Sequence, residues 1–259
     1  MATTQRLLAT ILDPYSSLMV CLSGGLDSCL LLKMVHAIAG ERVRAVTFVS
    51  PLHTIYSINN AMNWASTLSI EHLVIDYDPL DEEGIQSNGP ERCYRCKARM
   101  FFHAREVAGE GHGVVILDGS HAGDDPGARP GMRANREFGI LSPWRELGLG
   151  KHALRLLAQE EGIPFWERPA DSCLATRFPP GHLLRREELA GLEHAEDALR
   201  DLGFNDIRVR PADDPPRVII GEKDYQRARI LGAERIVEAI RDRTGLDLTP
   251  LCIERMKRQ

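Results

Sequence analysis

No apolar run in this 259-residue chain approaches the roughly 18 residues needed to cross a bilayer. The N-terminus, Met1-Ala2-Thr3-Thr4-Gln5-Arg6, lacks the apolar core of a secretory signal. No membrane partner is expected, and a soluble cytoplasmic protein is. Positive charge is not in excess either: 32 Lys and Arg stand against 37 Asp and Glu, a formal charge of −5. That balance speaks against gripping long nucleic acid through the overall field, so no nucleic-acid partner is expected, although a local basic cleft remains open. Internal repeats and low-complexity tracts are absent. What remains is ordinary globular composition, 43% hydrophobic and 27% charged, in enough chain for one large domain or two modest ones.

Apolar and amphipathic patterns alternate along the chain. Strands are expected at residues 18–22, 43–49, 71–76 and 114–118. Helices are expected after residue 25, with Leu30, Met34 and Ile38 on one face, and at 57–68, 92–107 and 151–161, the last stopped by Gly162 with Pro164 beyond. Parallel neighbours need a crossover between them, so this rhythm argues for an α/β fold: an open, mostly parallel sheet with helices on both faces. Residues 119–131 form a long Gly-, Asp- and Pro-rich excursion beyond a strand end, the kind of loop that carries function. After an irregular stretch at 169–181 come a helix at 186–202, strands at 206–210 and 217–220, and helices at 223–231 and 234–243. The expected division is a first domain at 1–170 and a smaller C-terminal α/β domain at 171–259.

Between the first strand and its helix lies Ser23-Gly24-Gly25-Leu26-Asp27-Ser28. Two glycines let the backbone turn tightly and bring N–H groups up to an anion, and the helix start aims its positive end at the same point. Ser23 and Ser28 add hydroxyl donors, and Asp27 is placed to hold the Mg²⁺ that accompanies nucleotide phosphates. The Gly-Lys-Ser/Thr ending of the ordinary P-loop is missing. A Gly-Gly turn is often only a turn, but the end of the first strand is where open parallel sheets place their ligand crevices. The stretch resembles the PP-loop of the ATP pyrophosphatases, Rossmann-like enzymes that split ATP between its α and β phosphates. The resemblance implies ATP and Mg²⁺ bound over Ser23, Gly24, Gly25, Asp27 and Ser28.

Six cysteines occur, with no second C-x-x-C. Cys21 and Cys29 read as small buried fillers and Cys252 carries no motif. Arg92-Cys93-Tyr94-Arg95-Cys96-Lys97 sets a C-x-x-C at a helix start, where unpaired N–H groups and nearby cations favour thiolate, the form that binds metal or delivers sulfur. Asp171-Ser172-Cys173-Leu174-Ala175-Thr176-Arg177-Phe178-Pro179-Pro180-Gly181 supplies one more cysteine. Three cysteines are one short of a closed zinc site unless His103 or His182 joins, and they suit an iron–sulfur cluster with one open iron. Zinc, cluster and no metal all remain open on spacing alone.

Taken in order, the glycine turn, Arg-Cys-x-x-Cys-Lys and Cys-Leu-Ala-Thr-Arg-Phe-Pro resemble the LarE family along nearly the whole chain. These are ATP-dependent sulfur-inserting enzymes that help make the nickel-pincer nucleotide cofactor of lactate racemase. The resemblance implies that a carboxylate on a pyridinium mononucleotide is adenylylated and then converted to a thiocarboxylate. Members with only the last cysteine sacrifice its sulfur; members with three hold a [4Fe–4S] cluster whose open iron presents a sulfide. Cys93, Cys96 and Cys173 align this chain with the second kind. His121 stands where relatives usually have Asn, and Pro180 where they have Tyr.

Arg208 and Arg210, two apart on an expected strand, face one side, and their planar forks suit phosphate as well as they suit a solvated strand edge. The resemblance favours phosphate. It also makes Lys97 and Arg177 candidates to neutralise substrate or AMP phosphate. Asp118 and Asp124 are weaker candidates for metal or ribose contacts. The implied partner is a small nucleotide substrate, and a homo-oligomer is expected. Two rivals stand beside this reading: a tRNA-thiolating enzyme using the same adenylation, and a non-catalytic nucleotide-binding module with structural zinc.

Overall fold

Leu18, Met19 and Val20 are all buried, and because successive strand residues point to opposite faces, a run of this kind forms a strand covered on both sides. The computed structural model bears this out; it describes residues 2–109, 113–124 and 130–256. Along the chain the elements are α1 (Ala2–Leu12), β1 (Ser17–Cys21), α2 (Leu26–Ala39), β2 (Val43–Val49), α3 (Ile55–Thr67), β3 (Glu71–Asp76), α4 (Glu83–Gln86), α5 (Arg92–Ala108), β4 (Val114–Leu117), α6 (Gly131–Glu137), α7 (Pro143–Glu146), α8 (Lys151–Glu160), α9 (Arg186–Asp201), β5 (Ile207–Arg210), β6 (Arg217–Ile220), α10 (Glu222–Leu231), α11 (Ala233–Thr244) and β7 (Cys252–Arg255). Two compact units result, Met1–Pro79 with Pro90–Asp171, and Leu80–Gly89 with Ser172–Gln259.

In the first unit four parallel strands run in the order β3-β2-β1-β4. Leu18 and Val20 join Leu8 and Leu12 of α1, the apolar face of α2 and Leu154 and Leu157 of α8 in one core. Met19, Val46 and Ile116 face the other way, against Phe101 and Ala104 of α5 and Ala134 of α6. The chain leaves β1 toward β2 on one side, while β4 lies on the other. The carboxyl end of β1 is therefore a topological switch point, where a doubly wound sheet opens a crevice. The fold is α/β of the Rossmann-like PP-loop kind, as the alternating pattern implies.

The second unit holds a three-stranded sheet, β5-β6-β7, antiparallel between the first two and parallel between the last two. Helix α9 packs its stripe of Leu189, Leu192, Ala195 and Leu199 inward, and α11 does the same with Ile236, Val237 and Ile240. Five elements lie outside the sequence expectations: α1, α4, α6, α7 and β7. The loop expected at 119–131 lies partly outside the described residues, at 125–129. Among the described residues no helix is long and apolar enough to cross a membrane.

Candidate active site

Only glycine fits at position 24. Its φ is +75°, and a Cβ there would stand 2.0 Å from the backbone oxygen of Ser57 on α3. Ser28 Oγ lies 3.1 Å from Ser23 Oγ and donates to the Gly25 carbonyl at 3.0 Å, closing the turn on itself. No side chain caps α2, so no cap competes with an anion for its first N–H groups. Gly119, after β4, also lies against the turn: a Cβ on it would meet Ser28 N at 2.9 Å. The glycine turn and the β4 loop thus form the two lips of the crevice.

Asp27 does not stand alone. Both its carboxylate oxygens accept from Lys151 Nζ, at 2.8 and 2.7 Å, and its backbone oxygen accepts from Trp144 Nε1 at 3.0 Å. Lys151 is the first residue of α8, where the helix dipole disfavours a cation. The lysine's misplacement on its own helix was the available signal, and the sequence reading passed over it. Beside the turn a cavity of about 50 Å³ is lined by Cys21, Leu22, Ser23, Thr47, Phe48 and Ser57, among others. Cys21 is thus partly a wall residue, not only filler. Burial pushes the thiols of Cys21 and Cys29 up to about 12, so neither is a thiolate. Burial also lowers His53, on the same cavity, to about 4.

Asp118, at the end of β4, is buried and accepts from Lys97 Nζ (3.1 Å), Asn135 Nδ2 (2.7 Å), Ser142 Oγ (2.6 Å) and Ser120 Oγ (2.6 Å). Burial acts to raise its pKa, but the Lys97 ammonium and the three side-chain donors outweigh it and hold the carboxyl below its ordinary value. These partners occupy the lone pairs that a metal or ribose contact would use. Lys97 is a third exposed at its side chain and also donates to Asn135 Oδ1 at 3.1 Å. Asp124 is buried as well, its Oδ2 accepting from His121 N at 3.0 Å.

Cys93 and Cys96 lie three residues apart in the first turn of α5, and side chains at that spacing share a helix face. Cys93 is exposed and receives Arg92 Nη2 at 3.1 Å; Cys96 Sγ lies 3.2 Å from the Tyr77 hydroxyl. Of the two histidines weighed as further ligands, His103 bonds Glu106 and His182 bonds Glu188. Among the described residues no group of three or more His, Cys, Asp or Glu side chains is arranged to hold a metal ion.

In the second unit Cys173 precedes a short turn, its carbonyl accepting from Thr176 N and Oγ1 at 2.9 and 2.8 Å. Arg177 is 1% exposed and pairs with Glu196, itself 0% exposed, through Nε (2.8 Å) and Nη2 (3.1 Å), while Nη1 reaches Ser172 O, Ser172 Oγ and Thr176 Oγ1. The guanidinium so placed secures the Cys173 turn, and contact with a phosphate would require that pairing to open. Glu196 interrupts the apolar stripe of α9, a polar residue at a core position; that break is the sign by which it was legible. Arg208 and Arg210 share one side of β5, where buried and half-buried residues alternate. Burial first, then repulsion from Arg177, lowers Arg208 below its ordinary value, and Arg210 Nε is buried with no hydrogen-bond partner among the described residues.

A doubly wound parallel sheet with an uncapped glycine turn at its switch point defines a protein of the Rossmann-like PP-loop fold. No protein-family model matches the chain. Three relatives do. Pyridinium-3,5-bisthiocarboxylic acid mononucleotide synthase of Lactiplantibacillus plantarum is 33% identical over 225 residues, 86% of this chain and 81% of that protein. An uncharacterized protein of Synechocystis sp. is 32% identical over 80% of this chain and 78% of its own length. A second uncharacterized protein, from Methanocaldococcus jannaschii, is 34% identical over 74% and 73%. The chain belongs to the LarE family, that of the synthase.

Proposed function

We propose that the protein is an ATP-dependent sulfur transferase that adenylylates a carboxylate of a pyridinium mononucleotide and converts it to a thiocarboxylate, a step in nickel-pincer cofactor synthesis. The observation that carries the reading is the glycine turn at the sheet's switch point, in a chain one-third identical over most of its length to a synthase named for a bisthiocarboxylic mononucleotide.

MgATP lays its phosphates over Ser23, Gly24, Gly25 and Ser28, held by the turn's N–H groups, the two hydroxyls and the positive end of α2. Asp27 would hold the Mg²⁺ that accompanies the nucleotide, an ion that would neutralise phosphate charge there. Lys151, bonded to Asp27 beside the turn, lies where its ammonium can neutralise the departing pyrophosphate. The substrate carboxylate attacks the α-phosphate, the bond to the β-phosphate breaks, and pyrophosphate leaves. No protein nucleophile is required, since alignment and charge neutralisation lower the barrier. Arg208 and Arg210 take the substrate phosphate; the unpartnered Arg210 Nε supports this. Lys97, partly exposed and oriented by Asp118, presents charge to the phosphate of substrate or AMP.

Cys93, Cys96 and Cys173 are the sulfur-handling residues. Their chemistry fits an iron–sulfur cluster better than zinc, because three thiols leave one iron without a protein ligand. A [4Fe–4S] cluster in their hold would supply sulfide as the nucleophile at the acyl-adenylate carbonyl, with AMP as leaving group. Arg177 maintains the turn that presents Cys173. The same reading places the enzyme in the cytoplasm as a homo-oligomer, with a small nucleotide and not a nucleic acid as its partner.

Cys93→Ala tests it. Thiocarboxylate formation should be abolished while pyrophosphate release from ATP and substrate persists, and anaerobically prepared wild type should be brown with about four irons per chain, as a [4Fe–4S] cluster requires. Sulfur transfer by the variant at the wild-type rate, or colourless protein with stoichiometric zinc, would overturn the cysteine assignment.

A further inference from the structure

Next to Asp118, and apart from the glycine turn, the first unit contains a cavity of about 350 Å³ between α6 and α7 that the proposed reaction does not use. That volume falls in the range of small-molecule sites. Its apolar wall is made by Met132 and Ile140, both buried. Its polar floor is Asn135 and Ser142, whose Nδ2 and Oγ donate to Asp118 and which are thereby locked in place. Two arginines complete it. Arg136 is exposed, and Arg145 donates from Nη1 to the Asp124 carbonyl at 3.0 Å. Among the described residues neither guanidinium forms an ion pair, whereas Arg133 on the same helix pairs with Glu91 and Glu137. Glu146 is the one acidic residue on the lining, so the cavity carries a net positive charge.

From this arrangement we infer that the cavity binds a small ring compound bearing a phosphate or carboxylate. The anion lies between Arg136 and Arg145, and the flat apolar part rests on Met132 and Ile140. Two planar forks without ion-pair partners among the described residues suit a phosphate or carboxylate, and the thioether of Met132 adapts to an aromatic face. Asn135 also accepts from Lys97, so an occupant lies one residue away from the lysine that follows the C-x-x-C. The inference stands without the sulfur-transfer reading, because it concerns binding alone.

Methionine-methyl NMR of the full chain tests it, with the Met132 signal assigned by Met132→Leu. The probes are nicotinate mononucleotide, AMP, nicotinate and inorganic phosphate, each titrated to millimolar concentration. At least one ring-bearing probe should shift the Met132 methyl more strongly than inorganic phosphate does, and comparison of the ring probes separates phosphate from carboxylate recognition. Arg136→Gln, at an exposed position, should weaken that probe about tenfold, the loss of one charge-assisted hydrogen bond. Arg145→Gln should do the same, and Ser28→Ala in the glycine turn should leave the Met132 titration unchanged. A Met132 signal unmoved by every probe, a shift as large with inorganic phosphate alone, wild-type affinity in both arginine variants, or loss in Ser28→Ala would each overturn the site.

Discussion

Each unit holds a buried carboxylate paired with basic side chains, Asp118 with Lys97 in the first and Glu196 with Arg177, and at 3.5 Å Arg200, in the second; the two centres are built differently. In the second unit Glu196 meets the fork of Arg177 with both groups out of solvent, and it takes a further hydrogen bond from Val209 N at 3.1 Å. In the first, Asp118 meets a point charge, Lys97, that stays a third exposed, and also accepts from three neutral side chains and the Ser120 backbone N–H. A dry fork pair is all or nothing, since removing one partner strands the other in low dielectric. A carboxylate shared among neutral donors leaves its lysine with spare hydrogen-bonding capacity. The first arrangement locks a turn; the second aims a charge while keeping it usable.

Breaking the dry pair should have the largest effect. Glu196→Gln leaves Arg177 uncompensated and should cost about 3–5 kcal/mol in urea unfolding, with much of the loss recovered in the Glu196→Gln, Arg177→Met double variant. Equal loss in single and double variants would mean that packing, not charge, holds the turn. His53 sharpens the contrast as a half-buried titratable group that bonds the neutral Ser50 hydroxyl, where desolvation outweighs the opposing pull of the Asp171 charge. Its folded pKa is about 4 against an ordinary 6.5. Between those values the unfolded chain holds a proton that the native one does not, so stability should rise with pH across the window, by up to about 3 kcal/mol. His53→Asn should flatten that rise in urea midpoints measured from pH 4 to 7.

Asp118→Asn should cost about 2 kcal/mol, because an amide turns a donor toward groups that are themselves donors. With its folded pKa below the ordinary value of 3.8, Asp118 contributes stability that is present above about pH 4 and lost as pH falls through the folded value. The variant should lack this part of the acid limb; an unchanged limb would remove Asp118 from the account. Lys97→Met should be the mildest, less than about 1 kcal/mol by thermal melt, since three neutral donors still serve Asp118. Its effect should fall instead on kcat/KM for adenylylation. A stability loss matching that of Glu196→Gln would erase the distinction between the centres.

Legibility followed locality. The strands at 43–49, 71–76 and 217–220 match β2, β3 and β6 residue for residue, because alternation and runs of β-branched residues act within the segment itself. Helix α1 escaped notice because its apolar residues, Leu8 and Leu12 among them, become a face only against α2 and β1. β7 escaped because Cys252-Ile253-Glu254-Arg255 has no alternation of its own and is a strand only through its parallel pairing with β6. Residues 80–89 were read as part of the first domain, yet they group with the second unit, where the Asn88 carbonyl accepts from Gly181 N at 3.1 Å.

The amino-acid order by itself determined the alternating α/β rhythm, the glycine turn and the C-x-x-C at a helix start, since each depends on neighbours a few residues apart. Which charges face each other was decided only by the tertiary structure. Lys151 reaches Asp27 across 124 residues, and Arg177 turns inward to a glutamate 19 residues on. Coulomb attraction and desolvation depend on distance in space, and that distance exists only once the sheet and helices have packed.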